Sequence, residues 1–410
     1  MPADTALAPA PPRAPARSAP GPIRHDSPGF LRICAVLVLS GATAFSALYF
    51  VQPLMPVFAA EFGIGVTEAG LSLSLPTAAL AAGLVVTGPV SDALGRKPVI
   101  LASVLMTALL LAAMAATADW GMFLALRTAL GLILGGITAI NLTWLAEEMD
   151  RDSLGRAVGW VLAGNSLGGM LARLLVGTLA ETTGWRLPVA ALAGIALLAA
   201  ALIWLWLPAS RNFRPGSPAP AAALRTYLGH LRNPGLRDAV LQGFLLMSAF
   251  VAFFNLVGFH LLSPGIGLDQ HAVGLVSLAF LPSTFAAVES ERLARHLGTR
   301  RAALACIGLA GAGILLTLCP ALPLLGIGIV LFTLGFFGAH SLCAGDVGRL
   351  AETARGQATA LYQIAFYAGA TLAGPGGGVA WQAGGWAGVC GVLCAMLGLA
   401  ALIRARSPGA

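Results

Sequence analysis

The sequence predicts an all-α membrane protein with twelve transmembrane helices, arranged as two six-helix bundles. Composition, a series of long apolar runs and the placement of basic residues together lead to this prediction. Of the 410 residues, 58% are hydrophobic and 10% are charged, whereas a soluble domain carries about 25% charged residues. The charged residues are too few to cover the surface of a water-soluble protein of this size. The composition therefore argues against a soluble enzyme.

The first 29 residues are rich in Pro and Ala. Nothing in segment 1–29 can bury a core, so we predict a flexible tail there. We do not expect a signal peptide, because the first apolar run is too long for the h-region of one.

Twelve apolar runs follow, each comparable to the roughly 20 residues that a helix needs to cross a bilayer. The runs are about 31–59, 69–91, 98–118, 121–145, 157–179, 187–207, 239–262, 271–288, 301–319, 322–344, 356–374 and 386–403. The longest gap, 208–238, contains five Pro and five Arg. We predict that it is a central loop between an N-terminal bundle (30–207) and a C-terminal bundle (239–404), with 405–410 as a second tail.

Basic residues are concentrated on one side of the predicted membrane. Twenty-one of the 24 Lys and Arg residues fall in the two tails, the central loop and every second loop. The opposite side has only Arg186, and Arg127 and Arg173 lie inside runs. Because cytoplasmic loops carry the excess of Lys and Arg, both termini and the central loop are predicted to be cytoplasmic.

The two halves of the chain resemble each other weakly. A shift of 203 residues lays Phe45–Gln52 over Ser248–Asn255, and Leu94–Gly95 over Leu297–Gly298. Parallel six-helix repeats related by an axis along the membrane normal are one known transporter plan, with the substrate site between the halves near mid-membrane.

The most distinctive segment is the loop between the second and third runs, Gly88-Pro-Val-Ser-Asp92-Ala-Leu-Gly95-Arg96-Lys97-Pro98. Gly88 lets a neighbouring helix approach closely, and Gly95 permits a tight turn. Asp92 lies at a helix C-terminus, where the dipole disfavours a carboxylate, so it needs a partner such as Arg96 or the N-terminus of another helix. The alternative is a positively charged topology loop with a turn.

This segment closely resembles motif A of the major facilitator superfamily, G-x-L-x-D-R-x-G-R-R/K, from which Val90 and Ala93 depart. Together with the twelve runs, the central basic loop and the half-repeat, the resemblance covers about residues 31–404. It implies that Asp92 and Arg96 are a latch that joins the two halves on the cytoplasmic side in the outward-open state.

The resemblance also implies the partners of this latch. Glu147 or Glu148, at the end of the fourth run, is the implied acidic neighbour, and the start of the eleventh run near Gly356 is the implied partner helix. The second copy of the motif, Glu291-Arg-Leu-Ala-Arg295-His-Leu-Gly298-Thr-Arg-Arg, has Arg where the Asp should be. We assign it no role beyond topology.

Two glycine-rich segments resemble further motifs of the drug:proton antiporters. In the fourth run, Arg127, Gly131 and Gly135 resemble motif B, whose Arg is linked to proton handling, although Leu130 stands where Gln is usual. The alternative for the glycines is plain helix packing.

The fifth run resembles antiporter motif C, G-P-x-x-G-G. The matching residues are Gly164, Asn165, Gly168 and Gly169, and Asn165 replaces the Pro. The kink associated with antiport is therefore in doubt, and with it the direction of transport. A stripe of small residues that only packs helices is the alternative.

Four polar residues lie at one depth in the predicted membrane: Gln52, Arg127, Arg173 and Asn255. Each Arg costs about 2.5–3.5 kcal/mol at mid-membrane on insertion scales. We expect both to face a central cavity and to bind an anionic group or tune a proton site; the alternative is that they snorkel to the interface. No carboxylate lies in the interior of a run.

His340 is the one His well inside a run, and a His there can titrate near neutral pH. It is a candidate for substrate or proton binding, and the alternative is a packing role. The six Cys lie in or beside apolar runs, and we read them as packing residues without a disulfide.

Taken together, the end of the first run and the motif A region resemble the YnfM-like branch of the superfamily. This resemblance implies a multi-pass transporter of the bacterial inner membrane that exports a small organic solute by alternating access, driven by protons. We expect a monomer in the lipid bilayer, with no cofactor, metal or nucleic-acid partner. The alternatives are a uniporter or importer of an anionic solute, and a non-transporting sensor or assembly factor.

The predicted orientation can be tested with cysteine labelling. We expect that Asp269→Cys reacts with an impermeant thiol reagent in intact cells, and that Gly216→Cys does not, in a chain from which the native Cys have been removed. The reason is the excess of basic residues on the side of residue 216. Labelling at 216 but not at 269 would reverse the orientation.

Overall fold

The structure is a computed structural model that describes residues 22–210, 220–351 and 354–407. Most of these residues are helical, and they form no β-strand beyond one isolated bridge. The predicted all-α class is confirmed. The predicted tail residues 1–21 and 408–410 lie outside the described residues.

In the N-terminal half, the first span is interrupted where two prolines follow Gln52. Pro53 has no N–H to continue a helical hydrogen-bond ladder, and a 3₁₀ turn at Gln52–Leu54 divides the span. The helices of this half are α1 (Phe30–Tyr49), α2 (Met55–Phe62), α3 (Val66–Leu94), α4 (Arg96–Ala116), α5 (Trp120–Glu148), α6 (Arg151–Thr183) and α7 (Arg186–Trp206).

The C-terminal half repeats this order with two differences. Its second span is broken by a 3₁₀ turn at Val276–Ala279, and its last two spans form one long helix with non-helical residues at Gly384 and Gly385. The helices are α9 (Pro234–Leu261), α10 (Gln270–Leu275), α11 (Phe280–Leu297), α12 (Thr299–Leu316), α13 (Leu322–Leu350) and α14 (Arg355–Arg406).

Among the residues that the structure describes, ten segments are long and apolar enough to cross a membrane. One of them is α14, which holds the predicted eleventh and twelfth spans. The predicted eighth span is divided among α10, the 3₁₀ turn and α11, so it is not among the ten. When α14 is counted as two spans and the divided eighth span is added, the described helices account for all twelve predicted spans.

Two sequence predictions need correction. The predicted central loop 208–238 contains helix α8 (Pro220–Arg232), and α9 begins at Pro234, where Asn233 caps it by accepting from Leu236 N. The end of the predicted flexible tail is also ordered. Ile23 N donates to Glu148 O at 2.8 Å, and Asp150 N donates to Ile23 O at 3.1 Å, because this strand-like segment pairs with the α5–α6 connection.

The structure reproduces the 203-residue repeat. Gly95 and Gly298 both separate two helices, and they have nearly the same backbone angles (φ 91° and ψ 160°; φ 81° and ψ 149°). A positive φ favours glycine, since it has no Cβ. Equivalent loops therefore have equivalent conformations in the two halves.

The two halves touch through glycines. An added Cβ on Gly177 of α6 would overlap the Cα of Gly274 of α10. In the same way, a Cβ on Gly70 of α3 would lie 3.1 Å from the Cα of Gly374 of α14. These crossings join the second span of each half to the fifth span of the other, as a two-fold axis between the halves requires.

Both crossings lie near one end of the bundle. We name it the far end; it also holds Arg186 and the α6–α7 connection. The basic end holds the α3–α4, α5–α6 and α11–α12 connections. At the basic end, a Cβ on Gly88 or on Gly356 would meet nothing within 4 Å. The halves are thus in contact at the far end and leave space around these two glycines at the basic end.

Candidate functional site

The centre of the interface between the halves is marked by an amide pair. Gln52 Nε2 donates to Asn255 Oδ1 at 2.9 Å, and the two residues are 203 positions apart. Residues related by a two-fold axis contact each other only on that axis. Both side chains are buried, so the contact places the axis of the repeat through a dry part of the interface.

Arg173 extends this pair into a chain of three polar side chains. Its Nε donates to Gln52 Oε1 at 2.8 Å. Its guanidinium carbon lies 4.5 Å from the ring centroid of Tyr49 and 4.8 Å from that of Phe280. Because Phe280 belongs to the C-terminal half, Arg173 is held between rings of both halves by cation–π contacts.

Several donors of this chain are unused. Within the described part of the protein, the terminal nitrogens of Arg173 make no hydrogen bond, and Asn255 Nδ2 is buried without a partner. Guanidinium and amide N–H groups that are not hydrogen-bonded can bind a carboxylate or another oxyanion. The chain could therefore hold an anionic group.

Arg127 does not join this chain. Its three donor nitrogens bond to backbone carbonyls, at 2.8 Å to Ser72 O and at 2.6 Å to Ala47 O and Leu48 O. Ser72 O lies four residues before Pro76, which has no N–H to give it. The other two carbonyls belong to the last turn of α1, where no helical partner exists.

Arg127 thus replaces hydrogen bonds that the helix breaks remove, and the side chain is fully buried. The expectation that it faces the central cavity beside Arg173 needs correction for this physical reason. The position of Arg127 along its helix can be counted from the sequence, but the direction of its side chain cannot.

His340 lies in a separate polar group of the C-terminal half. Its Nδ1 is 2.7 Å from the hydroxyl oxygen of Tyr362, and its ring stacks on Phe336 with 5.8 Å between centroids. Nearby, Gln242 Oε1 accepts from the thiol of Cys343, and Gln242 Nε2 is buried without a partner. The sequence analysis missed Tyr362 and Gln242, although a Gln inside an apolar run was a usable signal.

The predicted latch residues meet at the basic end. Arg96 donates to Asp92 Oδ1 at 2.6 Å and to Glu147 Oε1 at 2.7 Å, so Glu147 is the carboxylate that bridges α4 to α5. The Arg96 side chain is 6% exposed, against 16% for Asp92 and 20% for Glu147. Sheltering of this kind makes the ion pairs stronger than freely exposed ones.

Other members of the predicted latch have different contacts. Lys97 Nζ donates to Trp204 O and so ties α4 to α7. The backbone carbonyl of Glu148 accepts from Ile23 N. The engagement of Asp92 with the start of α14 stays a prediction, since the space around Gly88 and Gly356 is open.

The glycines of the motif B-like and motif C-like segments lie at helix crossings. A Cβ on Gly131 or Gly135 would overlap the backbone of α3, and one on Gly164 or Gly168 would crowd α1. Gly169 lies beside Arg173. Helix α6 runs unbroken through Asn165, whose Oδ1 is buried without a partner.

A buried ion pair in the C-terminal half was not foreseen. Asp346 is 1% exposed, and its two carboxylate oxygens accept from Arg349 and from Arg404 of α14. The sequence analysis singled out none of the three, because only the packing of α14 on α13 brings Arg404 to Asp346.

Comparison with known proteins identifies the family to which the chain belongs. The family model described as Major Facilitator Superfamily matches residues 37–345. The inner membrane transport protein YnfM of Escherichia coli (strain K12) is 38% identical over 94% of this chain and 92% of the relative. The uncharacterized MFS-type transporter YybF of Bacillus subtilis (strain 168) is 35% identical over 92% and 93%.

Solved structures share the fold. A bacterial homologue of the human lysosomal transporter Spinster, in an inward-facing and occupied conformation, has a TM-score of 0.75 at 15% identity and covers 92% of this chain and 97% of its own. The nucleoside transporter NupG has a TM-score of 0.75 at 14% identity, with 92% and 98% covered.

The two intramembrane arginines should differ in their effect on stability. We expect Arg127→Gln to lower the melting temperature of the detergent-solubilised protein or its folded yield. It leaves buried carbonyls unpaired, each at a cost of about 1–3 kcal/mol. Arg173→Gln breaks one side-chain hydrogen bond and two cation–π contacts but leaves no backbone carbonyl unpaired, so it should melt closer to the wild type than Arg127→Gln does. Equal melting of the two variants would contradict the role given to Arg127.

Proposed function

Because the chain belongs to the major facilitator superfamily, we propose that it is a proton-linked transporter that expels a small organic solute by alternating access. The observation that carries this proposal is the chain of Arg173, Gln52 and Asn255, which lies between the halves on the axis of the repeat. Parallel-repeat transporters bind their substrates between the two halves near mid-membrane, so a polar chain between the halves supports a substrate site here.

The orientation follows from charge. The basic end faces the cytoplasm in this proposal, since it carries the loops with the excess of Arg. The structure then corresponds to a state that is closed outside, where Gly177 meets Gly274, and open inside, near Gly88 and Gly356. Substrate would enter from the cytoplasm and reach Arg173 at the closed end.

The unused donors favour a substrate that carries an anionic group. Arg173 offers two terminal nitrogens for a bidentate contact with a carboxylate, and Asn255 Nδ2 offers a third donor. Aromatic rings lie against the guanidinium on two sides, so an aromatic group attached to the anion would find rings beside it.

His340 is the proposed proton-binding residue. It is hydrogen-bonded to Tyr362 and lies in the half opposite Arg173. Asp346 is not available for this task, since both of its oxygens are bound by Arg side chains. The transported proton would thus be bound by an imidazole rather than by a carboxylate.

A second candidate is uniport or import of the same anionic solute. It is favoured by the pairing of Asp346, which removes the embedded carboxylate that cation-exporting antiporters use. Both candidates share the site at Arg173 and differ only in coupling.

Transport assays in proteoliposomes separate these candidates. The probes are a panel of aromatic carboxylates with their neutral amides as controls, under pH gradients of either sign. We expect carboxylates but not amides to be moved, and Arg173→Gln to reduce the rate at least tenfold while Arg173→Lys restores part of it. Flux that follows the pH gradient and is uncoupled in His340→Gln supports proton linkage.

Other results of this assay would contradict the proposal. Flux indifferent to the gradient favours uniport. Equal flux of carboxylates and amides, or normal flux in Arg173→Gln, would remove Arg173 from the substrate site. No flux of any probe above empty liposomes favours a non-transporting protein.

The latch gives a separate prediction. We expect Asp92→Asn to cut transport severalfold while the amount of folded protein in the membrane stays unchanged. Arg96 remains held by Glu147 in this variant, so the fold keeps its α4–α5 contact. It loses the ion pair of Asp92 with Arg96 and the carboxylate that would engage the other half. Immunoblots of membranes serve as the control, and normal transport would show that the latch is not used.

A further inference from the structure

The two copies of the motif A loop differ in what fills the space behind them. In the N-terminal half, the guanidinium of Arg96 fills the space among α3, α4 and α5, between the carboxylates of Asp92 and Glu147. The shift of 203 residues puts Arg295 at the place of Asp92 and Thr299 at the place of Arg96. The second copy therefore has a cation where the first has an anion, and no long side chain at the centre.

The space left by this exchange is a pocket of about 280 Å³ among α11, α12 and α13. Its polar lining comes from Glu291, Arg295, Thr299, Ser341 and Arg349. The pocket is thus the counterpart of a filled site in the other half, and not a chance defect in packing.

The charges around the pocket favour an anion. Among the described residues, no carboxylate lies within 4.0 Å of the Arg295 guanidinium. Arg349 binds Asp346, but the other oxygen of Asp346 is held by Arg404. The lining itself therefore carries two arginines, Arg295 and Arg349, and one carboxylate, Glu291. Helix α12 begins at Thr299, so its positive end adds to the same potential.

We propose that this pocket binds a phosphate-type oxyanion between Arg295 and Arg349, in the place that the Arg96 guanidinium occupies in the other half. The hydroxyl groups of Thr299 and Ser341 supply further donors to its oxygens. Guanidinium pairs and hydroxyls of this kind recognise phosphate by charge-assisted hydrogen bonds. The bound anion would join α11 to α13, as Arg96 joins α4 to α5.

Two sources of the phosphate are compatible with this chemistry. The pocket lies at the basic end of its helices, and basic pockets between helices at the cytoplasmic surface bind anionic lipid headgroups. A free phosphate or phosphate monoester from solution would meet the same groups. The test therefore has one arm for each source.

The test measures thermal stabilisation of the purified full-length protein. In one arm inorganic phosphate is titrated into the detergent-solubilised protein. In the other, the protein is placed in nanodiscs of phosphatidylcholine with or without phosphatidylglycerol. We expect at least one anion to raise the melting temperature of the wild type.

Two variants and two matched controls assign the effect to the pocket. A Cβ on Gly345 meets nothing within 4 Å, so Gly345→Leu fills the pocket without changing charge; Gly326→Leu makes the same change in open space near the far end of the same helix. Arg295→Gln removes one charge inside the pocket. Arg292→Gln removes one from the same helix outside it, where Arg292 is exposed and bound to Glu289.

The proposal requires that Gly345→Leu abolish the anion-induced shift and that Arg295→Gln weaken the apparent affinity at least tenfold, while both controls keep it. A shift with phosphatidylglycerol alone assigns a lipid headgroup, and a shift with inorganic phosphate as well assigns a free anion. The absence of a shift in both arms, or an equal shift in wild type and Gly345→Leu, would overturn it. None of these readouts depends on transport.

Discussion

The helix breaks of the N-terminal half depend on the three hydrogen bonds that Arg127 donates to backbone carbonyls. Within a bilayer, a backbone polar group left without a partner costs several kcal/mol. The break after α1 and Pro76 in α3 both create such groups, and they do so close to the interface between the halves. One buried guanidinium satisfies Ser72 O, Ala47 O and Leu48 O together. The break in turn puts Gln52 on the axis, so the amide pair at the centre of the protein depends on this arginine.

The sequence predicted the fold well because its main signals are physical limits on any membrane chain. Span length follows bilayer thickness, and the 203-residue repeat left the same glycine at the same turn, Gly95 and Gly298. The shared depth of Gln52, Arg173 and Asn255 also follows from counting along helices. These features need no knowledge of packing. They were therefore within reach of the sequence.

The features that the sequence could not give depend on how helices face one another. Arg127 and Arg173 are chemically identical and are predicted at the same depth, yet one bonds to carbonyls freed by helix breaks and the other lies between Tyr49 and Phe280. Arg404 meets Asp346 only because α14 packs on α13. The pairing of Ile23 with the α5–α6 connection was missed for the same reason, since a Pro-rich tail has no periodicity that would indicate a docking partner.

The amide pair on the axis has one more consequence. An amide carries a donor and an acceptor at its tip, so two amides on a two-fold axis can bond in either of two senses, and symmetry gives neither sense a preference. Arg173 stands on one side only and engages Gln52 Oε1, which turns Nε2 toward Asn255. A single arginine thus makes the interface between two similar halves asymmetric. The two halves can therefore have the same shape and still differ in which one gives up its contacts first.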